Sequence, residues 1–324
     1  MQTTTSLWQR LIAKAGLDYL ALGLFLLVFS VLLITYGAHF RFFDGSVIWP
    51  SLVLLVIATT RFFTHLRRTQ TPTPLLYHQA AREALLVVRD WLPLILLVLI
   101  YENLRGLTGL IRPDVIDEHL YKADVLLFGA EPTIWIQKFT NKWLTDYFSF
   151  AYMLYFILPL ILATTLYLRK HREDFKELMT GVLLVQYFGF LLYIIFPAGP
   201  PRFTLAHLYE PAKLTGALGL YELTHGAYDS LNSVPAHSSF PSLHCALSLT
   251  ALLFAWRFRK SFGSSILFWI FLPLVVSLWI STVYLRHHWI VDCFAGFILS
   301  IILFTPMPWL RKRYTKFRRR VLIN

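Results

Sequence analysis

Two short stretches of this chain carry side chains suited to acid–base and nucleophilic work. The first reads Phe240-Pro241-Ser242-Leu243-His244, and the second runs from Ser281-Thr282 through Arg286-His287-His288 to Asp292. His288 and Asp292 are four residues apart, so on a helix they share one face and the carboxylate can hold the imidazole. Such a carboxylate fixes the ring's tautomer and leaves the other nitrogen able to attack or to take a proton. His244 follows Pro241, a residue that suits a first helical turn because it has no N–H to leave unpaired there. Two helix N-termini converging on one side of a membrane, each with a His and with Arg202 and Arg286 near them, form a receptor for an anion, phosphate above all. A metal is the chemical rival, because His237, His244, His287 and His288 are four available ligands. They do not form the clustered boxes of membrane di-iron enzymes, and a zinc site would leave the paired arginines without a role, so neither a metal nor another cofactor is expected. Each feature alone is common. Their coincidence on one predicted face is what points to catalysis.

Hydropathy supplies the elements that hold these groups. The 324 residues are 56% apolar, 16% aromatic and 15% charged, with a mean hydropathy of +0.57. Soluble domains are about a quarter charged, so lipid must cover much of this surface. The expectation is an all-α, polytopic transmembrane helical bundle. With about 20 apolar residues needed per span, the sequence predicts about eight, near 18–36, 47–63, 84–101, 146–168, 177–196, 240–258, 266–284 and 288–306. The first is expected to be a retained anchor, because no small-residue cleavage site precedes Phe40. Most of the 30 Lys and Arg fall in alternate connections: Arg10 to Lys14, Arg61 to Arg89, Arg169 to Lys176, Arg257 to Lys260, and the tail from Arg311 to Arg320. Such segments stay cytoplasmic. Both termini are therefore expected in the cytoplasm, with the His-bearing ends on the periplasmic or lumenal side. The net charge of +12 reflects this asymmetry, and no nucleic-acid partner is expected. Almost all the charges lie at span ends, whereas a proton-coupled transporter, the weaker functional reading, would place Asp, Glu or His near the midplane.

Two outer connections are long. Between Leu104 and Thr145, Ile134, Trp135 and Phe139 recur at helical spacing, which predicts an amphipathic helix at the interface. Between Pro197 and Ser239 the chain is rich in Gly, Pro, Ser and His and is a candidate lid. The tail from Arg311 to Arg320 is polybasic and suits anionic lipids of the cytoplasmic leaflet. Cys245 and Cys293 each follow a residue of the candidate site, and both are expected to be small packing residues.

At these residues the sequence resembles the type 2 phosphatidic acid phosphatase superfamily of membrane phosphatases and phosphotransferases. The family's second motif, Pro-Ser-Gly-His, is matched by Pro241-Ser242-Leu243-His244. Its third, Ser-Arg, five residues, His, three residues, Asp, is matched in spacing by Ser281-Thr282, His288 and Asp292. The resemblance implies that His288 is the nucleophile of a phosphohistidine intermediate, that Asp292 orients it, and that His244 protonates the leaving oxygen. Ser242 and Ser281 would contact the phosphate. The first motif, Lys, six residues, Arg-Pro, is replaced in the expected loop by Pro200-Pro201-Arg202-Phe203, so Arg202 is the candidate substitute; a literal Arg105, six residues, Arg112-Pro113 lies one loop earlier. Thr282 stands where the third motif has Arg, with Arg286 as its candidate replacement, and the motifs give His287 no role.

The Pro-Pro before the second motif, Leu243 within it and the His287-His288 pair are similar to the branch containing inositol phosphorylceramide synthase and its bacterial relatives. The resemblance runs from about Leu85 to Pro306. It implies a six-helix phosphatase-type core at 84–306, preceded by two added helices within 1–83 and followed by a basic tail at 307–324. It implies a metal-independent lipid phosphotransferase that moves a phosphoinositol or phosphoryl group from a lipid phosphate or phospholipid donor to an acceptor alcohol, lipid or water. The alternative is a lipid phosphate phosphatase of the phosphatidic acid or polyprenyl phosphate class.

Overall fold

Long apolar runs broken by Gly, Pro and charged clusters become helices here, because a backbone in lipid must satisfy its own hydrogen bonds. The computed structural model describes residues 6–37, 45–67, 74–224 and 237–322, and these are all-helical apart from loops and one isolated bridge, Ala198 to Ser238. In chain order the helices are α1 (Leu7–Ala15), α2 (Leu17–Thr35), α3 (Gly45–Leu66), α4 (Pro74–Ile111), α5 (Asp117–Phe128), α6 (Pro132–Ile136), α7 (Lys142–Leu168), α8 (Arg172–Ile195), α9 (Pro201–Thr204), α10 (Leu243–Arg257), α11 (Ile266–Tyr284), α12 (Ile290–Phe304) and α13 (Met307–Leu322). Among them, seven stretches are long and apolar enough to cross a membrane. The sixth predicted span is the short one. At 15 residues α10 is about 22 Å long, less than the ~30 Å hydrocarbon core.

The centre of the bundle is α8, buried along most of its length and touched by α2, α4, α7, α10, α12 and α13. Small residues permit this closeness, as is usual between membrane helices. A Cβ added at Gly181 would meet the Phe254 ring of α10 at 2.6 Å, and one at Gly189 would collide with Leu243. The two N-terminal spans differ in their packing. Phe25 of α2 stacks on Tyr187 of α8 with ring centroids 4.2 Å apart, so α2 joins the core, whereas α3 packs chiefly on α4.

One local expectation changes, and two helices join it that hydropathy did not mark. The helix predicted through Ile134 and Phe139 is only the five-residue α6 followed by a 3-10 turn, because Glu131 and Pro132 start it and Thr140 leaves the helical region. The main helix of that connection is α5, stopped by Gly129 in the left-handed conformation. The basic tail is itself helical. It docks on α1 through Tyr314, whose hydroxyl accepts from Gly16 N at 3.0 Å and lies 3.0 Å from the Ile12 carbonyl.

Candidate active site

The site lies where α11 ends and α10 and α12 begin, here called the site end of the bundle. After Tyr284 the chain turns back on its helix: the His287 and His288 amides both donate to the Thr282 carbonyl, at 2.9 and 3.1 Å. Arg286 takes a φ of +62°, unusual for a residue with a Cβ, to make this turn. Helix α12 then begins only at Ile290, so His288 precedes it and does not share a helical face with Asp292. Asp292 instead reaches back over the helix N-terminus. Its Oδ2 accepts from Trp289 N at 3.2 Å and lies 3.3 Å from His288 Nδ1. Ser239 Oγ donates to the same oxygen at 2.6 Å and sits 3.2 Å from that ring nitrogen. On the other edge of the ring, His288 Nε2 is 3.3 Å from His244 Nδ1.

His244 arrives by an equally local route. Ser242 is the N-cap of α10, its Oγ accepting from Cys245 N at 3.3 Å, so Pro241 lies before the helix rather than in its first turn. The Ser242 amide donates to the Asp292 carbonyl at 2.9 Å, tying α10 directly to α12. Gly296 makes the crossing possible, since a Cβ there would collide with the Ser242 carbonyl. Tyr152 and Tyr155 of α7 pack their rings on His244.

The structure therefore brings His288, Asp292 and His244 together, and it distributes the other candidates differently. Ser242 is a cap, and Ser281 Oγ donates to Leu278 O at 2.6 Å along its own helix; both are fully buried. Thr282 Oγ1 donates to Trp279 O and contacts Cys293 Sγ at 3.3 Å, so its side chain belongs to helix packing. The Arg286 guanidinium donates to the Pro211 and Ala212 carbonyls at 3.0 and 3.1 Å and lies 3.9 Å from the Tyr209 ring. Arg202 sits on α9, its amide donating to the Arg286 carbonyl at 3.0 Å and its guanidinium 4.6 Å from the Phe203 ring. Arg112 donates to the Ile195 carbonyl at the end of α8, and the Arg105 side chain lies outside the described residues. So does part of the candidate lid, residues 225–236. Cys245 and Cys293 are free and buried. Among the described residues no three His, Cys, Asp or Glu side chains form a metal-holding group.

Three positioning residues are invisible in the motifs. Ser239 clamps the His288–Asp292 pair. On α5, Asp117 accepts from Gly199 N at 2.7 Å and Thr204 Oγ1 at 2.6 Å, while Asp124 accepts from Ile290 N at 2.8 Å and Val291 N at 2.9 Å. The two aspartates are seven residues apart, so one face of α5 braces the Arg202 segment against the start of α12. Trp289 closes the same contact, its Nε1 donating to Gly199 O at 3.1 Å. Burial pushes Asp124 up to about 6 and neighbouring Glu131 up to about 7, against the pull of the groups that donate to them. Glu131 leads through Thr133 to Tyr209, and Tyr209 carries Arg286 on its ring.

Such an arrangement can do one kind of chemistry well. One imidazole is held at Nδ1 by a carboxylate and a hydroxyl, leaving Nε2 to attack, and a second imidazole beside it can give or take a proton.

Among curated proteins, the chain is 27% identical over 225 residues to the inositol phosphorylceramide synthase catalytic subunit of Saccharomyces cerevisiae, covering 66% of this chain and 52% of that one. It is 26% identical over 159 residues to phosphoinositol dihydroceramide synthase of Bacteroides thetaiotaomicron, covering 47% and 51%. It is 28% identical over 162 residues to inositol phosphorylceramide synthase of Candida albicans, covering 47% and 33%. The chain thus spans about half the length or less of these relatives. No solved structure matches it. Residues 120–305, more than half of the chain and including both histidines and Asp292, match the family model described as PAP2 superfamily, and the chain belongs to that superfamily.

Proposed function

We propose that this protein is a metal-independent lipid phosphotransferase that works through a phosphohistidine on His288. The observation that carries the reading is the placement of His288, with Nδ1 against Asp292 and Ser239 and Nε2 facing His244 at 3.3 Å. In the first half-reaction Nε2 attacks the phosphorus of a lipid phosphoester, the bond to the leaving alcohol breaks, and His244 supplies that oxygen with a proton. In the second, the acceptor oxygen bonds to phosphorus, the bond to Nε2 breaks, and His244 takes the acceptor's proton. Arg202 offsets charge on the phosphate. Arg286 acts indirectly, because its guanidinium is engaged by two loop carbonyls.

The names of the relatives favour phosphoinositol as the group moved and a ceramide-type lipid as acceptor. The charge asymmetry supports cytoplasmic termini and a site facing the periplasm or lumen. At the opposite end, Arg311, Lys312, Lys316, Arg319 and Arg320 of α13 line a basic groove of about 480 Å³ that suits anionic headgroups.

The test is to give purified protein radiolabelled phosphatidylinositol or phosphatidic acid, with and without ceramide or diacylglycerol, and to identify the products. Label should appear in the acceptor lipid; release of free phosphate alone would make the protein a phosphatase. His288→Ala and His244→Ala should each lower turnover by about a thousandfold or more with normal expression. Near-normal turnover in either variant would overturn the assignment.

A further inference from the structure

We propose that Tyr152 is a positioning residue for His244 that acts chiefly in the second half-reaction, when His288 Nε2 is bonded to phosphorus; this rests on the phosphohistidine reading above. The ring of Tyr152 lies 4.2 Å from that of His244 at 24°, and 4.6 Å from that of His287 at 25°. It therefore stacks on both imidazoles. Its hydroxyl is 3.4 Å from His244 Nδ1, the same nitrogen that faces His288 Nε2 at 3.3 Å. One ring nitrogen thus has two neighbours, and the chemistry uses up one of them.

Before substrate reacts, His244 Nδ1 and His288 Nε2 can share a proton, which orients both rings. Once Nε2 carries phosphorus it has neither a lone pair nor a proton to offer His244. The Tyr152 hydroxyl oxygen is then the group already in place to accept from Nδ1–H, which leaves the lone pair on His244 Nε2, and the stack holds the ring plane while Nε2 receives the acceptor's proton. His287 gains a role the motifs do not give it. Buried, with its amide on Thr282 O, it stacks on Tyr152 so that the phenol keeps its place against His244. Tyr155, three residues on, lies against His244 at 4.1 Å and 50°, which limits the ring's movement from a second direction.

The distinguishing consequence is an imbalance between the two halves, which general loss of structure would not give. Parent, Tyr152→Phe and His287→Leu proteins, matched for size-exclusion profile and thermal midpoint, would be mixed with radiolabelled phosphatidylinositol in mixed micelles and quenched in alkali. Tyr152→Phe keeps the stack and removes only the hydroxyl. It should release the first product at the parent's rate, accumulate acid-labile labelled protein at steady state, and turn over about tenfold more slowly, as expected for one lost hydrogen bond. His287→Leu should shift the balance the same way by a smaller factor. A Tyr152→Phe protein with the parent's turnover and adduct level, or with both halves slowed alike, would overturn the proposal while leaving the phosphohistidine intact. Absence of any acid-labile adduct in the parent would remove the phosphohistidine, and this proposal with it.

Discussion

The two ends of the bundle hold their carboxylates differently. At the site end, acidic side chains accept from backbone amides of distant segments: Asp117 from Gly199, Asp124 from Ile290 and Val291, and Asp146 from Leu218, Leu220 and Tyr221. At the tail end they pair with arginine side chains. Arg311 bridges Asp174 and Glu177 at 2.7 Å each, Arg257 reaches Glu177 at 2.6 Å, and Arg172 reaches Asp90 at 3.1 Å. An amide cannot move without its backbone, so a carboxylate on an amide fixes the main chain. An arginine can follow its partner by changing rotamer. The site end is therefore built for placement of loops, and the tail end for cohesion between helix termini.

Asp124→Ala is the strongest way to break this contrast. It leaves the first two amides of α12 without their acceptor, immediately after His288, in a site where about 1 Å of misplacement costs on the order of 100-fold in rate. Turnover should fall by about that factor, with Asp124→Asn recovering part of it through its remaining carbonyl oxygen. Steady-state kinetics on lipid substrate at matched folded protein checks this. Parent-like turnover in Asp124→Ala would mean that the brace does not position the site.

Arg311→Ala probes the other end with a smaller and different effect. Asp174 keeps Ser261 as a donor at 2.6 Å and Glu177 keeps Arg257, so neither carboxylate is stranded. The loss should be about 1–3 kcal/mol, a fall of several degrees in thermal midpoint. Turnover per folded molecule should stay within about twofold of the parent. A rate loss comparable to that of Asp124→Ala would erase the distinction between placement and cohesion.

The same distinction explains what could be read from the sequence. Spans follow from local hydropathy, the His288 and Asp292 pair follows from a short spacing, and His244 is joined to them by the motifs of the resembling family, so these were legible without coordinates. The positioning contacts are not local. Asp124 meets Ile290 across 166 residues, and Asp117 meets Gly199 across 82, distances over which composition carries no pairing information. Helix starts were misplaced for a related reason. The sequence puts His288 inside a helix because four-residue spacing suggests it, whereas α12 starts two residues later with Trp289 N capped by Asp292 and Ile290 N by Asp124. Arg286 shows the limit of reading by residue type. Its charge suggests a phosphate contact, but the left-handed turn at its own backbone aims the guanidinium at Pro211 and Ala212.

Glu131 offers the finest test, because it links the two kinds of contact without touching the imidazoles. Its Oε1 accepts from Thr133, and its Oε2 is buried with no hydrogen-bond partner among the described residues. Burial, with Asp124 and Asp292 nearby, raises its carboxyl from the ordinary 4.5 to about 7. A carboxyl raised on folding binds its proton more tightly in the native state, so its stabilising contribution is complete below about 4.5 and is lost as pH rises through about 7. Asp124 has the same sign over a lower window, from 3.8 to about 6. The thermal midpoint of the parent should therefore decline between pH 5 and pH 8, by roughly a few degrees. Glu131→Gln, which keeps an acceptor for Thr133 and carries no charge, should flatten the upper part of that decline and leave the Asp124 portion below it. An unchanged slope in Glu131→Gln would mean that this carboxyl is ionised at no cost, and that the Glu131–Thr133–Tyr209 chain does not couple protonation to the seat of Arg286.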